Sequence, residues 1–313
     1  MHPAKSVILF TTASGAGYGL AILFALFDLF GMVPMHPAVS LAGLGLALLL
    51  VVIGLVASTF HLGHPERAWR ALTQWRSSWL SREGCMALIT LVPTGLYLAA
   101  RLMEEADALP VLAGATVLCS VLTVQCTAMI YASLKPVPAW ATPLTPVSYH
   151  VLALASGGLI LNALAHFLGF WRSDFVDILS LLLLAGMVVK IVYWRKIGRA
   201  SATSTAESAT GLGDIGKVTL FEGPHDADNY LMKEMGFQIA RKHAMRLRRL
   251  SLLWGFLFPL LAVSFASFTQ GPGAGILIGV SLLTAAVGLF AERWLFFAEA
   301  KHAVTLYYGN DKV

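Results

Sequence analysis

Residues 57–83, ASTFHLGHPERAWRALTQWRSSWLSRE, crowd a histidine, an arginine cluster and a glutamate into one short stretch. His61 stands where an apolar helix must stop. Gly63 can take a left-handed conformation at little cost, and Pro65 cannot continue the hydrogen-bond ladder. The helix macrodipole favours a protonated imidazole at that end, which suits His61 to give or take a proton near neutral pH. Arg67, Arg70, Arg76 and Arg82 follow, interleaved with Trp69, Trp75 and Trp79, and the stretch closes on Glu83. Glu83 can cap the next helix or pair with Arg67, Arg76 or Arg82. His64 reads as a surface loop residue. An imidazole, guanidinium groups and a carboxylate at one face of a membrane are suited to binding a quinone and exchanging its protons.

The elements that must hold these groups are membrane helices. Hydrophobic residues make up 57% of the 313 and charged residues 12%, against roughly 25% charged in an ordinary soluble domain. About 20 apolar residues at 1.5 Å rise cross the hydrocarbon core of a bilayer. Runs of that kind are Ser6–Phe27, Ala38–Phe60, Gly84–Ala100, Ala108–Leu134, a stretch within Val147–Leu168, and Phe175–Trp194 with Asp177 and Lys190 near its ends. Leu250–Ala291 carries no charge, and Gln270-Gly271-Pro272-Gly273 divides it in two. The expectation is an all-α integral membrane protein, an eight-helix bundle forming a single membrane domain over 1–313. The runs are continuous rather than short and alternating, which excludes a transmembrane barrel. The first run exceeds the apolar core of a signal peptide and is read as a span.

Twenty of the 22 Lys and Arg fall on one side of such a bundle, and Arg101 and Arg172 on the other. The positive-inside rule makes the crowded side cytoplasmic, together with both termini and the His61 loop. The net charge of +5 reflects that face and does not point to nucleic acid. One cytoplasmic loop is large, 196–249. It opens with a linker-like ASATSTAESATGLGDIG and continues into a basic amphipathic helix, LMKEMGFQIARKHAMRLRRL, with Asp226, Asp228 or Asn229 as caps. That helix lies on anionic headgroups or docks a partner.

Several polar residues sit within or beside the spans. Tyr131 is either an interfacial aromatic or a hydrogen-bond donor to a ligand carbonyl. Glu292 and Arg293 neutralise each other, Gln125 and Asn162 bond between helices, and Lys190 snorkels to the interface. Cys85, Cys119 and Cys126 form no CxxC pair and read as buried small side chains. His61, His150 and His302 gather near one face and His166 near the other, a set that does not supply two axial pairs, so no haem is expected. An anion carrier is the competing reading. Carrier sites lie near the midplane on broken helices, whereas this charged constellation lies at one face.

Three stretches carry a family resemblance: HLGHPERAW running on to SRE at 81–83, YASLKPVPAWATPLTP at 131–146, and FAERWLFFAEAKH near the C-terminus. The protein resembles the membrane-anchor subunits of dimethyl-sulfoxide-reductase-type molybdenum enzymes, and its long loop and extended C-terminus are most like the anchor of cytoplasmic sulfite-oxidizing enzymes (sulfite dehydrogenase). The resemblance implies a quinone site with His61 as the interacting histidine, Glu83 beside it, and Arg67, Arg76 and Tyr131 contributing. It implies ubiquinone or menaquinone as the bound cofactor, a four-cluster ferredoxin-like iron–sulfur subunit on the cytoplasmic side, and a catalytic subunit with molybdenum–pterin. Electrons then pass from sulfite to quinone, or from quinol to substrate in a reductase.

Overall fold

A computed structural model describes residues 4–60, 62, 64–199, 204–222, 243–308 and 310. Eight of its helices are long and apolar enough to cross a membrane: α1 (Lys5–Leu29), α2 (Pro37–Thr59), α3 (Trp79–Leu102), α4 (Leu109–Ala132), α5 (Leu144–Phe167), α6 (Ser173–Arg199), α7 (Ala244–Ser267) and α8 (Pro272–Ala298). Their order and number are those of the apolar runs. The ends extend past the runs by a few residues because helices continue into the polar interface.

The helices are not equivalent. The most apolar stretch of α1 is 67% buried and that of α5 61%, against 33% for α3, α6 and α8. α1 packs on α2, α4, α5 and α8, so α1 and α5 form the centre and the others keep an outward apolar face. Close approach of α1 and α5 depends on glycine. A Cβ on Gly19 would stand 1.8 Å from the Ala153 carbonyl oxygen, and one on Gly157 would stand 2.2 Å from the Gly19 carbonyl carbon. Small residues let backbones touch where lipid gives no hydrophobic drive to helix association.

At the end where α1 and α3 finish and α2 begins, Arg101 is fully buried. Its guanidinium pairs with Asp28, donates to Ser40 Oγ at 2.9 Å and to the Pro34 carbonyl at 2.6 Å, and lies 5.3 Å from the Phe24 ring centroid. Tyr97 donates its hydroxyl to Asp28. Sequence alone places Arg101 as an interfacial charge and gives no role to Asp28 or Tyr97. Lys190 and Arg293 are also buried rather than interfacial. Removing all three leaves the charge asymmetry at 18 to one.

The connection from α2 to α3 contains a 3₁₀ helix, Pro65–Leu72, with no buried residue. Arg82 fastens the turn after it, donating to the carbonyls of Trp75 at 3.0 Å and Arg76 at 2.7 Å while stacking over Trp79 at 4.2 Å. Beyond α6, the expected linker is partly helical. Thr205 and Ser208 form a capping box for Ala206–Thr210, and Gly211 ends it at φ 71°. Tyr307 ties it to the C-terminal segment by donating to the Ala209 carbonyl at 3.0 Å. Most of the basic amphipathic helix, with Asp226, Asp228 and Asn229, lies outside the described residues. Its last part is the first turns of α7, where Arg248 pairs with Glu299 at 2.9 Å.

Candidate functional site

The second and third of the resembling stretches meet in space. Trp140, in the turn between α4 and α5, donates its indole N–H to the Phe296 carbonyl of α8 at 2.8 Å and stacks on the Phe296 ring at 5.5 Å. Tyr131 at the end of α4 packs among Trp140, Tyr149, Phe296 and Phe297, with ring centroids 5.2 to 5.7 Å away. Tyr193 of α6 donates to the Ala139 carbonyl at 2.9 Å, and the Ala303 N–H to that of Pro136. An aromatic floor thus joins α4, α5, α6 and α8 at one end of the bundle. Tyr131 belongs to this floor rather than to an exposed belt.

Glu83 enters the same region from α3. It is 5% exposed, and Ser78, not Glu83, caps the helix by accepting from the Ser81 N–H at 3.5 Å. The expected pairing with Arg67, Arg76 or Arg82 does not form. Arg67 reaches Glu66 at 3.7 Å, Arg76 lies exposed over Trp75, and Arg82 is held by the turn. Burial faces Glu83 towards α4, beside the Thr127 hydroxyl, and near enough for its charge to act on Tyr18, Tyr131 and Tyr149. Its Oε1 makes no hydrogen bond with the described residues. His61 lies outside the described residues. Its neighbour His64 is exposed and contacts Glu66 at 3.0 Å, as a surface residue should.

An ionic cluster stands on the far side of this space. Lys190 of α6 does not snorkel. It is 1% exposed, pairs with Glu292 at 2.5 Å and lies 4.0 Å from the Tyr193 ring centroid. Arg293 pairs with Glu292 as expected, and its guanidinium lies 4.4 Å from the Tyr149 ring centroid. Arg293 Nη2 and the hydroxyls of Tyr18 and Tyr149 remain without hydrogen-bond partners among the described residues. Sequence reasoning missed the alignment of Tyr18, Tyr149 and Lys190 with Glu292 and Arg293. The sequence shows only that Lys190 and the Glu292–Arg293 dipeptide lie in apolar spans, and nothing in it brings those spans together.

Towards the rim, Glu299 lies under Arg248, and burial pushes its carboxyl above the usual range while the Arg248 charge opposes this. His150 contacts the Pro146 carbonyl at 3.0 Å, and His302 Nδ1 accepts the Val304 N–H at 3.0 Å. Among the described residues no group of three or more His, Cys, Asp or Glu could hold a metal. Both amide atoms of Asn162 lack partners, so the interhelical bond expected of it does not form among the described residues.

Among the described residues Glu83 Oε1 thus stays unpartnered beside the aromatic floor.

The family model "DMSO reductase anchor subunit (DmsC)" matches residues 1–219. The protein is 33% identical over 327 aligned positions to a sulfite dehydrogenase subunit of Allochromatium vinosum, with 99% of each sequence covered. It is 30% identical over 169 positions to a subunit of the anaerobic dimethyl sulfoxide reductase of Escherichia coli, with 52% of this sequence and 58% of that one covered.

Proposed function

Because the chain belongs to the family of DMSO reductase anchor subunits, we propose that it is the quinone-interacting membrane subunit of a molybdenum–pterin, iron–sulfur oxidoreductase. Its partners on this reading are a four-cluster ferredoxin-like subunit and a catalytic subunit, both cytoplasmic, and both its own termini face the cytoplasm of the bacterial inner membrane. The observation that carries the reading is Glu83, a buried carboxylate with a free oxygen, one turn into a helix that follows the His61 loop, against an aromatic floor.

Bound quinone supplies the acceptor for two electrons and two protons. Glu83 holds a proton at a buried position, and His61 exchanges protons with the cytoplasmic side. Tyr131 orders the floor and lends a hydroxyl. Arg67 and Arg76 lie on the exposed face of the loop and supply positive potential there. The full-length likeness to a sulfite dehydrogenase subunit favours sulfite as donor and quinone as acceptor. The shorter match to a dimethyl sulfoxide reductase subunit supports the opposite direction as the second reading.

Replacing His61 by Gln in the purified assembly tests the site. Quinone-coupled turnover is expected to vanish while a soluble artificial acceptor still turns over the catalytic subunit; unchanged quinone coupling removes His61 from the mechanism. Sulfite-dependent quinone reduction, as against quinol-dependent sulfoxide reduction, decides the direction. Deleting 205–245 releases the soluble partners if that loop docks them, and leaves the assembly intact if it rests on lipid.

A further inference from the structure

Beside the groups that Glu83 faces lies a half-open cavity of about 40 Å³, whose lining includes Gly15 and Tyr18 of α1, Thr127 of α4, Tyr149 of α5, and Glu292 and Arg293 of α8. A cavity takes up water when it offers roughly 10–15 Å³ or more per molecule and two to four polar partners. This one has room for a few waters. Its walls carry the hydroxyls of Tyr18 and Tyr149 and Nη2 of Arg293, each on a side chain more than nine-tenths buried and each without a hydrogen-bond partner among the described residues. Leaving several such groups unsatisfied at once is costly. Water satisfies donors and acceptors together.

The charges around the cavity balance only when both of its ends are counted. Lys190 and Arg293 carry two positive charges against the single negative charge of Glu292. Glu83, which lies beside the lining residue Thr127, supplies the missing negative charge when it gives up its proton. The other titratable groups of the neighbourhood are Cys126 and Tyr131 on α4 and Tyr193 on α6, with Glu299 and Arg248 at the rim.

We infer that this cavity is a hydrated proton-transfer chamber, in which waters held by Tyr18, Tyr149 and Arg293 connect the Glu83 carboxyl to the Lys190–Glu292–Arg293 cluster. The inference rests on the reading of Glu83 as the proton-holding group beside quinone. A proton that leaves the Glu83 carboxyl passes to the nearest water, each water hands one on, O–H bond for O–H bond, and the Glu292 carboxylate takes up the last; the return transfer restores the Glu83 carboxyl. No electron passes through the chamber. Arg293 stays protonated and orients water, so it is a positioning residue.

The test uses the full-length protein in lipid nanodiscs and follows the Glu83 carboxyl stretch by infrared spectroscopy after transfer to heavy water at mildly acidic pH, the band being assigned by its loss in Glu83→Gln. Two variants close the route differently. Gly15→Leu places a bulky side chain at the chamber wall, where a Cβ meets nothing within 4 Å. Tyr18→Phe with Tyr149→Phe keeps the volume and removes the hydroxyls, so it serves even where Gly15→Leu fails to fold. Isotope exchange at Glu83 is expected to slow on the order of tenfold or more in both, as for loss of a positioned proton-transfer group. Wild-type exchange in the folded double-Phe variant overturns the chamber. Ordered waters on Tyr18, Tyr149 and Arg293 in a high-resolution structure of the assembly support it, and an alkyl chain or ring there refutes it. Since none of these readouts needs quinone, slow exchange alongside intact quinone coupling in Glu83→Gln would sink the quinone assignment and leave the chamber standing.

Discussion

Two buried ionic clusters occupy opposite ends of this bundle, and they differ in how completely they are satisfied. Around Arg101, the guanidinium binds Asp28, Ser40 and the Pro34 carbonyl, and Tyr97 completes Asp28. These side chains leave no buried polar atom over among the described residues, and the cluster knits the ends of α1 and α3 to the start of α2. Around Glu83 and Arg293, an oxygen, a nitrogen and two phenol hydroxyls are left over beside a cavity. Buried polar groups without partners are costly, and in native proteins they mark bound water, a ligand or chemistry. Comparable investments of charge thus serve different ends: one cluster locks helices, and the other leaves capacity free for protons and a ligand.

The largest expected effect is at the locked end. Arg101→Met leaves Asp28 charged, largely buried and without its cation, and breaking a buried pair in this way costs about 3–5 kcal/mol. Thermal unfolding of the detergent-solubilised protein should show a large drop, and the double variant Asp28→Leu with Arg101→Met should recover much of it. An unchanged midpoint in Arg101→Met would break the comparison by showing that the satisfied cluster contributes nothing.

At the open end the pattern reverses. Glu83→Gln replaces a carboxyl to which no cation is bound, so the unfolding midpoint should hold or rise. Quinone-coupled turnover should fall about a hundredfold or more, the usual cost of losing a proton-transfer group. Comparable losses of stability and coupling would mean that Glu83 is structural, like Arg101. Lys190→Met sharpens the contrast. Glu292 keeps Arg293 as a partner, so the stability cost should be about 1–3 kcal/mol, below that at Arg101. The exposed Arg67→Ala and Arg76→Ala should each move stability by less than about 0.5 kcal/mol and weaken quinone coupling far less than Glu83→Gln.

The same contrast explains what is legible in the sequence. Membrane spans follow from length and charge-free composition alone, which is why all eight can be placed within a few residues. Residues on one segment, such as Glu292 and Arg293, reveal their pairing by adjacency. Arg101 with Asp28 and Lys190 with Glu292 are pairings across helices, and their registers depend on rotations set by contacts such as Gly19 against Gly157. Those rotations have no one-dimensional signal. Glu83 stands out in the sequence as a site candidate, but its orientation does not. Proximity to three arginines in sequence suggests a salt bridge, whereas one turn of helix turns its carboxyl inwards to Thr127 and the arginines outwards. Lys190 carries the same lesson: the snorkelling rule assumes a lipid-facing side chain, and the α6–α8 contact makes this one face a glutamate.

A smaller effect is expected at the rim, where the C-terminal segment covers the aromatic floor. His302 Nδ1 accepts the Val304 N–H at 3.0 Å, and Thr305 donates to the His302 carbonyl at 2.8 Å, starting the 3₁₀ turn Ala303–Tyr308. The accepting role requires neutral imidazole, and burial holds the His302 pKa below its ordinary value of about 6.5. A histidine depressed in the folded state contributes stability above its unfolded pKa, and that contribution declines as pH falls below about 6.5. Because His302 is only partly covered, the loss is confined to the segment it starts. Hydrogen exchange of the 303–308 amides, corrected for intrinsic rates, should accelerate between pH 7 and pH 5, while exchange around Arg101 stays flat. His302→Asn, whose side-chain oxygen can accept the same N–H without titrating, should abolish the acceleration. Persistence of the pH response in that variant would assign it instead to Glu299, whose raised carboxyl titrates beneath Arg248.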